Sequence, residues 1–239
     1  MKTSPLKMLL TVAVLWLAGH SHASTIFWSS SFTNNILLTS SGQPLDGSFS
    51  FEIGYFANSF DPTLAQADQW QTNWKVFDRA YDPTPLDPND GDPEGWNEPL
   101  QFFVGTVDHT LTGGSSSPDA NPSDVFNQGD VAYLWVYNNK SLDSTTEWAL
   151  VKDTSGLANV WSFPDPTDTG SYNWDLDDAD TAIVGGVNDM QGGGAYSVNP
   201  GTFALQTHMV PEPGSALLIL LAAGVWASRR IRFHPSGSR

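Results

Sequence analysis

Seven consecutive residues, Val131-Ala132-Tyr133-Leu134-Trp135-Val136-Tyr137, are apolar on both faces of an extended chain, as a central β-strand would be. A second segment, Ser48 to Phe56, alternates, with Phe49, Phe51, Ile53 and Tyr55 on one face. Phe102 to Val107, Trp148 to Val151, Val160 to Phe163, Thr181 to Val184 and Thr202 to Met209 are further strand candidates. Turn residues separate them at Ser41-Gly42, Gly113-Gly114, Asn138-Asn139 and Gly192-Gly193-Gly194. Many short strands with such breaks predict a mainly β fold, an antiparallel sandwich or barrel. One helix is expected to interrupt it. Asp61 and Pro62 suit the N-cap and first position, and Leu64, Ala67, Trp70, Trp74, Phe77 and Tyr81 recur at helical steps. It is expected to lie across the sheet as a lid.

Both ends of the 239-residue chain differ from this middle. Lys2 and Lys7 precede the apolar run Leu9 to Ala18, and Ser21-His22-Ala23 then offers small residues for cleavage. Residues 1–23 therefore read as a secretory signal peptide that enters the Sec translocon and is cut by signal peptidase between Ala23 and Ser24. At the far end stand Val210-Pro211-Glu212-Pro213, the uncharged run Gly214 to Ser228, and Arg229, Arg230 and Arg232. As a helix, residues 214–228 measure about 22 Å, against a hydrocarbon core of roughly 30 Å. They span if the helix begins at Pro213 and the arginines snorkel. The arginines stay in the cytoplasm, so the middle of the chain lies outside it.

This order resembles the PEP-CTERM sorting signal of Gram-negative bacteria: a Val-Pro-Glu-Pro-like motif, a short membrane helix and a basic end. The resemblance covers about residues 209–233; six residues, His234 to Arg239, trail the basic cluster. It implies an inner-membrane intermediate, processing near residues 210–213 by an exosortase-type transpeptidase, and transfer to the cell surface or extracellular exopolysaccharide matrix. The two prolines keep the motif extended and outside the helix, accessible to a protease. The expected division is a signal peptide at 1–23, an exported domain at 24–209 and a sorting tail at 210–239, with the transmembrane helix at 214–228 and the basic end at 229–239.

The exported part carries 25 acidic residues against Lys75, Arg79, Lys140 and Lys152, a net charge of −21 (4 − 25). That field repels phosphate and excludes nucleic acid as a partner. The chain has no cysteine, which excludes thiol catalysis and disulfides. The acids invite divalent cations. Asp87, Asn89 and Glu98 fill positions one, three and twelve of a calcium-loop template, but Gly91 and Asp92 break it at the turn. A solvated acidic loop is the alternative. Asp165, Asp168, Asp175, Asp177, Asp178 and Asp180 form a second calcium candidate with the same alternative. No further cofactor is implied.

Among eight tryptophans in this domain, Trp70, Trp74 and Trp135 fall on apolar stripes and read as core. Trp96 and Trp174 stand beside acidic loops, where an exposed indole stacks on a sugar; core packing is the alternative. No catalytic residue is nominated. Asp108 and His109 are adjacent, so their side chains diverge on a strand. No nucleophile elbow, zinc-protease motif or phosphate loop is present. The expected function is a non-catalytic structural or adhesive surface protein. The alternatives are a carbohydrate-binding or carbohydrate-active module of the same matrix, and a simple single-pass membrane-anchored periplasmic protein.

Overall fold

The computed structural model describes residues 23–31, 36–80, 95–155, 160–193 and 203–210. The signal peptide through residue 22, the tail from Pro211, and Asp87 and Asn89 lie outside the described residues.

The described chain is mainly β. In order, its strands are β1 Ser24–Ser29, β2 Leu37–Leu38, β3 Ser50–Phe56, β4 Trp74–Ala80, β5 Gly95–Asn97, β6 Phe102–His109 and β7 Tyr133–Tyr137. There follow β8 Glu147–Lys152, β9 Ser171–Asp175, β10 Thr181–Val184, β11 Gly186–Val187, β12 Met190–Gln191, β13 Leu205–Gln206 and β14 His208–Met209. They form three sheets. The first runs β5-β6-β1-β9, the second β10-β8-β7-β3-β4 with β14 also paired to β8, and a small third runs β12-β11-β13-β2. Pairing is mostly antiparallel, but β1–β9 and β13–β2 are parallel. The chain reaches both parallel pairings by long excursions, which the alternation of single segments cannot reveal.

The first two sheets share one core. Ile26, Trp28, Trp96, Phe103 and Trp174 from the first meet Phe51, Ile53, Phe77, Leu134, Val136 and Val151 from the second. Burying such a set removes several hundred Å² of aromatic surface from water, the dominant favourable contribution to folding. The second sheet is also covered on its other face. There Phe56, Trp70, Trp74, Tyr133, Trp135, Tyr137, Trp148, Leu150 and Val210 form a second apolar cluster. Strand β7 is therefore buried at every position, as its composition predicts.

The expected long helix is not formed. Asp61 does cap a turn, accepting from the Thr63 N–H at 2.8 Å. A 3₁₀ turn at Ala67–Gln69 and a single helical turn, α1 Trp70–Asn73, follow, and the chain then enters β4. The lid survives in reduced form: the Trp70 ring stacks on Trp148, with centroids 5.4 Å apart. Trp74, Phe77 and their neighbours belong instead to a strand that pairs with β3 from Phe56↔Trp74 to Phe51↔Ala80. Val160 to Phe163 is not a strand either; Ser162 makes only an isolated bridge to Val131. Among the described residues, no helix is long and apolar enough to cross a membrane.

Candidate functional site

Glu52 is the only charged residue of β3, and strand alternation turns it away from Phe51 and Ile53 into the second, tryptophan-rich cluster. It is 0% exposed. Its carboxylate accepts hydrogen bonds from Trp74 Nε1 at 2.9 Å, Arg79 Nε at 2.8 Å and the Tyr137 hydroxyl at 2.6 Å. Lys140 Nζ completes the set and lies 5.0 Å from the Tyr137 ring centroid. Burial pushes the Glu52 pKa up, but Lys140, Tyr137 and Arg79 outweigh it and hold the carboxyl below its ordinary value. Burial and the adjacent Glu52 carboxylate both push the Tyr137 phenol up. A closed centre of this kind has its acceptor positions filled by protein donors, so it orders the sheet and its cover rather than receiving a ligand.

All four basic residues of the domain are engaged within the fold. Lys75 pairs with Asp124 at 2.8 Å, Arg79 and Lys140 with Glu52, and Lys152 Nζ sits 5.2 Å from the Tyr133 ring centroid. The outer surface is therefore dominated by carboxylates.

Several of those carboxylates have a local task. A short repeat, Asp or Asn followed two residues later by Ser or Thr, closes turns through side chain to backbone hydrogen bonds. Asp46 accepts from the Ser48 N–H at 2.9 Å, Asn121 from Ser123 at 3.0 Å, Asp143 from Thr145 at 2.7 Å and Asp165 from Thr167 at 2.8 Å. These hydrogen bonds hold Asp46, Asp143 and Asp165 below the ordinary carboxylate range.

The acids of the second calcium candidate also make local hydrogen bonds. Asp168 accepts from Gly170 N–H and the Tyr172 hydroxyl, Asp175 from Asp177 N–H at 3.2 Å, and Asp180 from Thr154 N–H at 2.9 Å. Asp177 and Asp178 are exposed, and so is Glu98. Among the described residues, no three carboxylate or imidazole groups are gathered to hold a metal ion.

The sugar-stacking expectation is corrected. Trp96 is 0% and Trp174 2% exposed, both inside the main core, with Trp96 against Phe51 and Trp174 against Phe163. Acidic residues stand within two positions of each in sequence, but strand alternation turns the indoles inward. His109 is likewise a core residue: it packs against Phe77 and Phe163, and Nε2 faces the Phe126 carbonyl at 3.0 Å. Burial lowers its pKa. Asp108 points outward and accepts from Thr25 Oγ1 at 2.7 Å, so the two side chains diverge as expected.

The boundaries of the fold bear on the two ends. Strand β1 opens at Ser24, the residue predicted to follow signal-peptide cleavage, and pairs it with His109. At the other end β14 pairs with β8, and Val210 donates its N–H to the Thr146 carbonyl at 2.9 Å. The Val210 side chain is 6% exposed within the second cluster.

An open cleft lies at one end of the second sheet, where β3 and β8 stop and β7 begins. Its volume is about 670 Å³, within the ordinary range for a small-ligand site, and Tyr55, Phe60, Asp130, Tyr133 and Lys152 line it. Sequence reading misses both this cleft and the Glu52 centre. The available signal for Glu52 is a lone acid in phase with the second apolar face. The cleft has no local signal, because loops 57–63 and 127–131 meet only in the fold. Compared with known proteins, the chain matches no family model, no curated protein and no solved structure.

Proposed function

We propose that the protein is an exported, non-catalytic β-sandwich of structural or adhesive type, sorted to the cell surface or exopolysaccharide matrix through its C-terminal tail. In this reading the Sec machinery exports the chain, signal peptidase cuts after Ala23, and the helix at 214–228 holds it in the inner membrane. An exosortase-type transpeptidase then acts at Val210-Pro211-Glu212-Pro213, with Arg229, Arg230 and Arg232 fixing topology.

The observation that carries the reading is the position of Val210. It is buried in the second cluster, and its N–H closes on Thr146. The proposed signal thus begins on a residue that the folded domain holds, so a cut after Val210 leaves the second cluster whole. The strand that starts at Ser24 gives the same support at the front. The engagement of all four cations inside the fold suits a domain that stays hydrated and repels its own copies in a polyanionic or water-rich matrix.

The test is fractionation of cells that express the full chain or a triple variant with Pro211, Glu212 and Pro213 changed to Ala. The parent is expected outside the cell with a mass short of the encoded C-terminus, and the variant in the inner membrane. Released parent protein that still ends in Arg239, or normal release of the variant, would overturn the sorting reading. Full-length parent confined to the membrane fraction would favour a plain anchored periplasmic protein.

A further inference from the structure

The cleft at the end of the second sheet is built from unlike parts that converge on one space. After β3, the chain turns back through Ala57 to Phe60, where the Phe60 N–H donates to the Ala57 carbonyl at 3.1 Å. Both central residues of that turn are left-handed, Asn58 at φ 59° and Ser59 at φ 57°. Asn-Gly is the usual sequence for such a geometry. Asparagine tolerates it, but a serine is strained where glycine would not be. Both side chains are exposed at the lip of the cleft. Strain kept for the sake of a side chain that touches no core is a mark of use.

The opposite wall supplies matching chemistry. Asn127 and Asp130 come from the loop before β7, and the Asn127 N–H donates to Asp130 Oδ2 at 2.8 Å. Asp61 accepts from Thr63 through Oδ1 at 2.8 Å. In each carboxylate one oxygen closes a turn and the other is left to accept from a ligand. The half-buried rings of Tyr55 and Phe60 give the apolar surface, while the Tyr133 ring lies buried beneath Lys152.

We propose that this cleft binds a neutral oligosaccharide. Vicinal hydroxyls need acceptors and donors in close alternation, which Asp61, Asp130, Asn58, Ser59 and Asn127 provide. The axial C–H face of a sugar ring needs an aromatic surface beside them. The charge is decisive for the class: two carboxylates face one lysine, and the surrounding domain is strongly acidic, so a uronate or sulfated chain is repelled. This assignment deepens the adhesive reading and rests on it. It relocates sugar contact from Trp96 and Trp174 to residues that the fold leaves accessible.

The experiment is isothermal titration of the detergent-solubilised full chain with cello-, malto-, laminari- and mannohexaose, and with trigalacturonate as the charged comparison. At least one neutral hexaose is expected to bind, and trigalacturonate is not. Ser59→Gly and Asn127→Ala are each expected to weaken that binding at least fivefold. Ser59→Gly is also expected to melt no lower than the parent, because glycine has no Cβ to strain at φ 57°. That separates lost binding from lost folding. Absence of binding by all four hexaoses, unchanged affinity in both variants, or preference for trigalacturonate would overturn the proposal. Normal release of a chain that binds no hexaose removes the cleft assignment and leaves sorting intact. Binding by a chain that is never released does the reverse.

Discussion

The indole N–H of Trp28 donates to Asp78 Oδ2 at 2.8 Å, and this buried bond joins the first sheet to the second. Gly105, opposite Trp28 in the β1–β6 ladder, makes the approach possible. A Cβ there would lie 2.2 Å from Trp28 Nε1 and 2.8 Å from Asp78 Oδ2. Gly105→Ala is therefore expected to cost about 3 kcal/mol by overpacking. Calorimetry would read this as a fall in melting temperature of roughly 6–12 °C for a domain of this size. An unchanged melting temperature would show that the two sheets are free to separate there.

Glu52 makes a different prediction. Glu52→Gln keeps the shape and removes the charge that Arg79 and Lys140 share. Stranding two partly buried cations is expected to cost about 3 kcal/mol at pH 7. The folded carboxyl titrates below its ordinary value, so its contribution is complete above the unfolded pKa of about 4.3 and is lost as pH falls through the folded pKa. Parent and variant are expected to converge in urea unfolding as the pH is lowered from 7 towards 3. A gap that stays constant over that range would contradict the charge-based account.

Asp78, also buried, has the opposite sign. Burial raises its pKa against the hydrogen bonds from Ser117 and Trp28. A raised carboxyl penalises the fold where it is ionised, and the penalty is relieved as pH falls through the folded pKa. Asp78→Asn keeps an acceptor for Trp28, and it is expected to cost less than about 1 kcal/mol at pH 7. The parent should gain on the variant as the solution is acidified. A loss as large as that of Glu52→Gln would mean that Asp78 is held as a needed anion.

The two carboxylates also show what the sequence could disclose. Strands β3, β6, β7, β8 and β10 were legible because each carries its own apolar run or alternation. Strand β4 was not: Trp74 faces the second cluster and Phe77 the main core. A strand buried on both faces places apolar residues three or four apart, and the spacing then imitates a helix. A register shift between Ile53 and Gly54 opposite adds to the imitation, since it puts Phe77 and Asp78 on the same side. Strands β1 and β9 depend on partners far along the chain, with Trp28 opposite Trp174, so no window reveals them. The acids show a related effect. Residue type alone reads as a cation site or a solvated loop, whereas the Asp-x-Ser/Thr spacing turns Asp46, Asp143 and Asp165 back to their own turns.

Val210 belongs to both the folded domain and the proposed signal, and substitution can separate the roles. Its side chain lies in the second cluster and its N–H on Thr146, one residue beyond the β14–β8 pairing. Val210→Ala removes two buried methyl groups and is expected to cost about 1.5 kcal/mol. That corresponds to a fall of roughly 3–6 °C in melting temperature. Val210→Asp adds an unpaired carboxylate beside a tryptophan cluster and should cost about 3 kcal/mol or more. Glu212→Ala, two residues beyond Val210 in the proposed motif, is expected to leave melting unchanged while it lowers release from the membrane. Equal melting of all four proteins would mean that β14 does not hold the domain's end. The sorting tail would then begin well before the motif, and the clean separation of domain from signal would be lost.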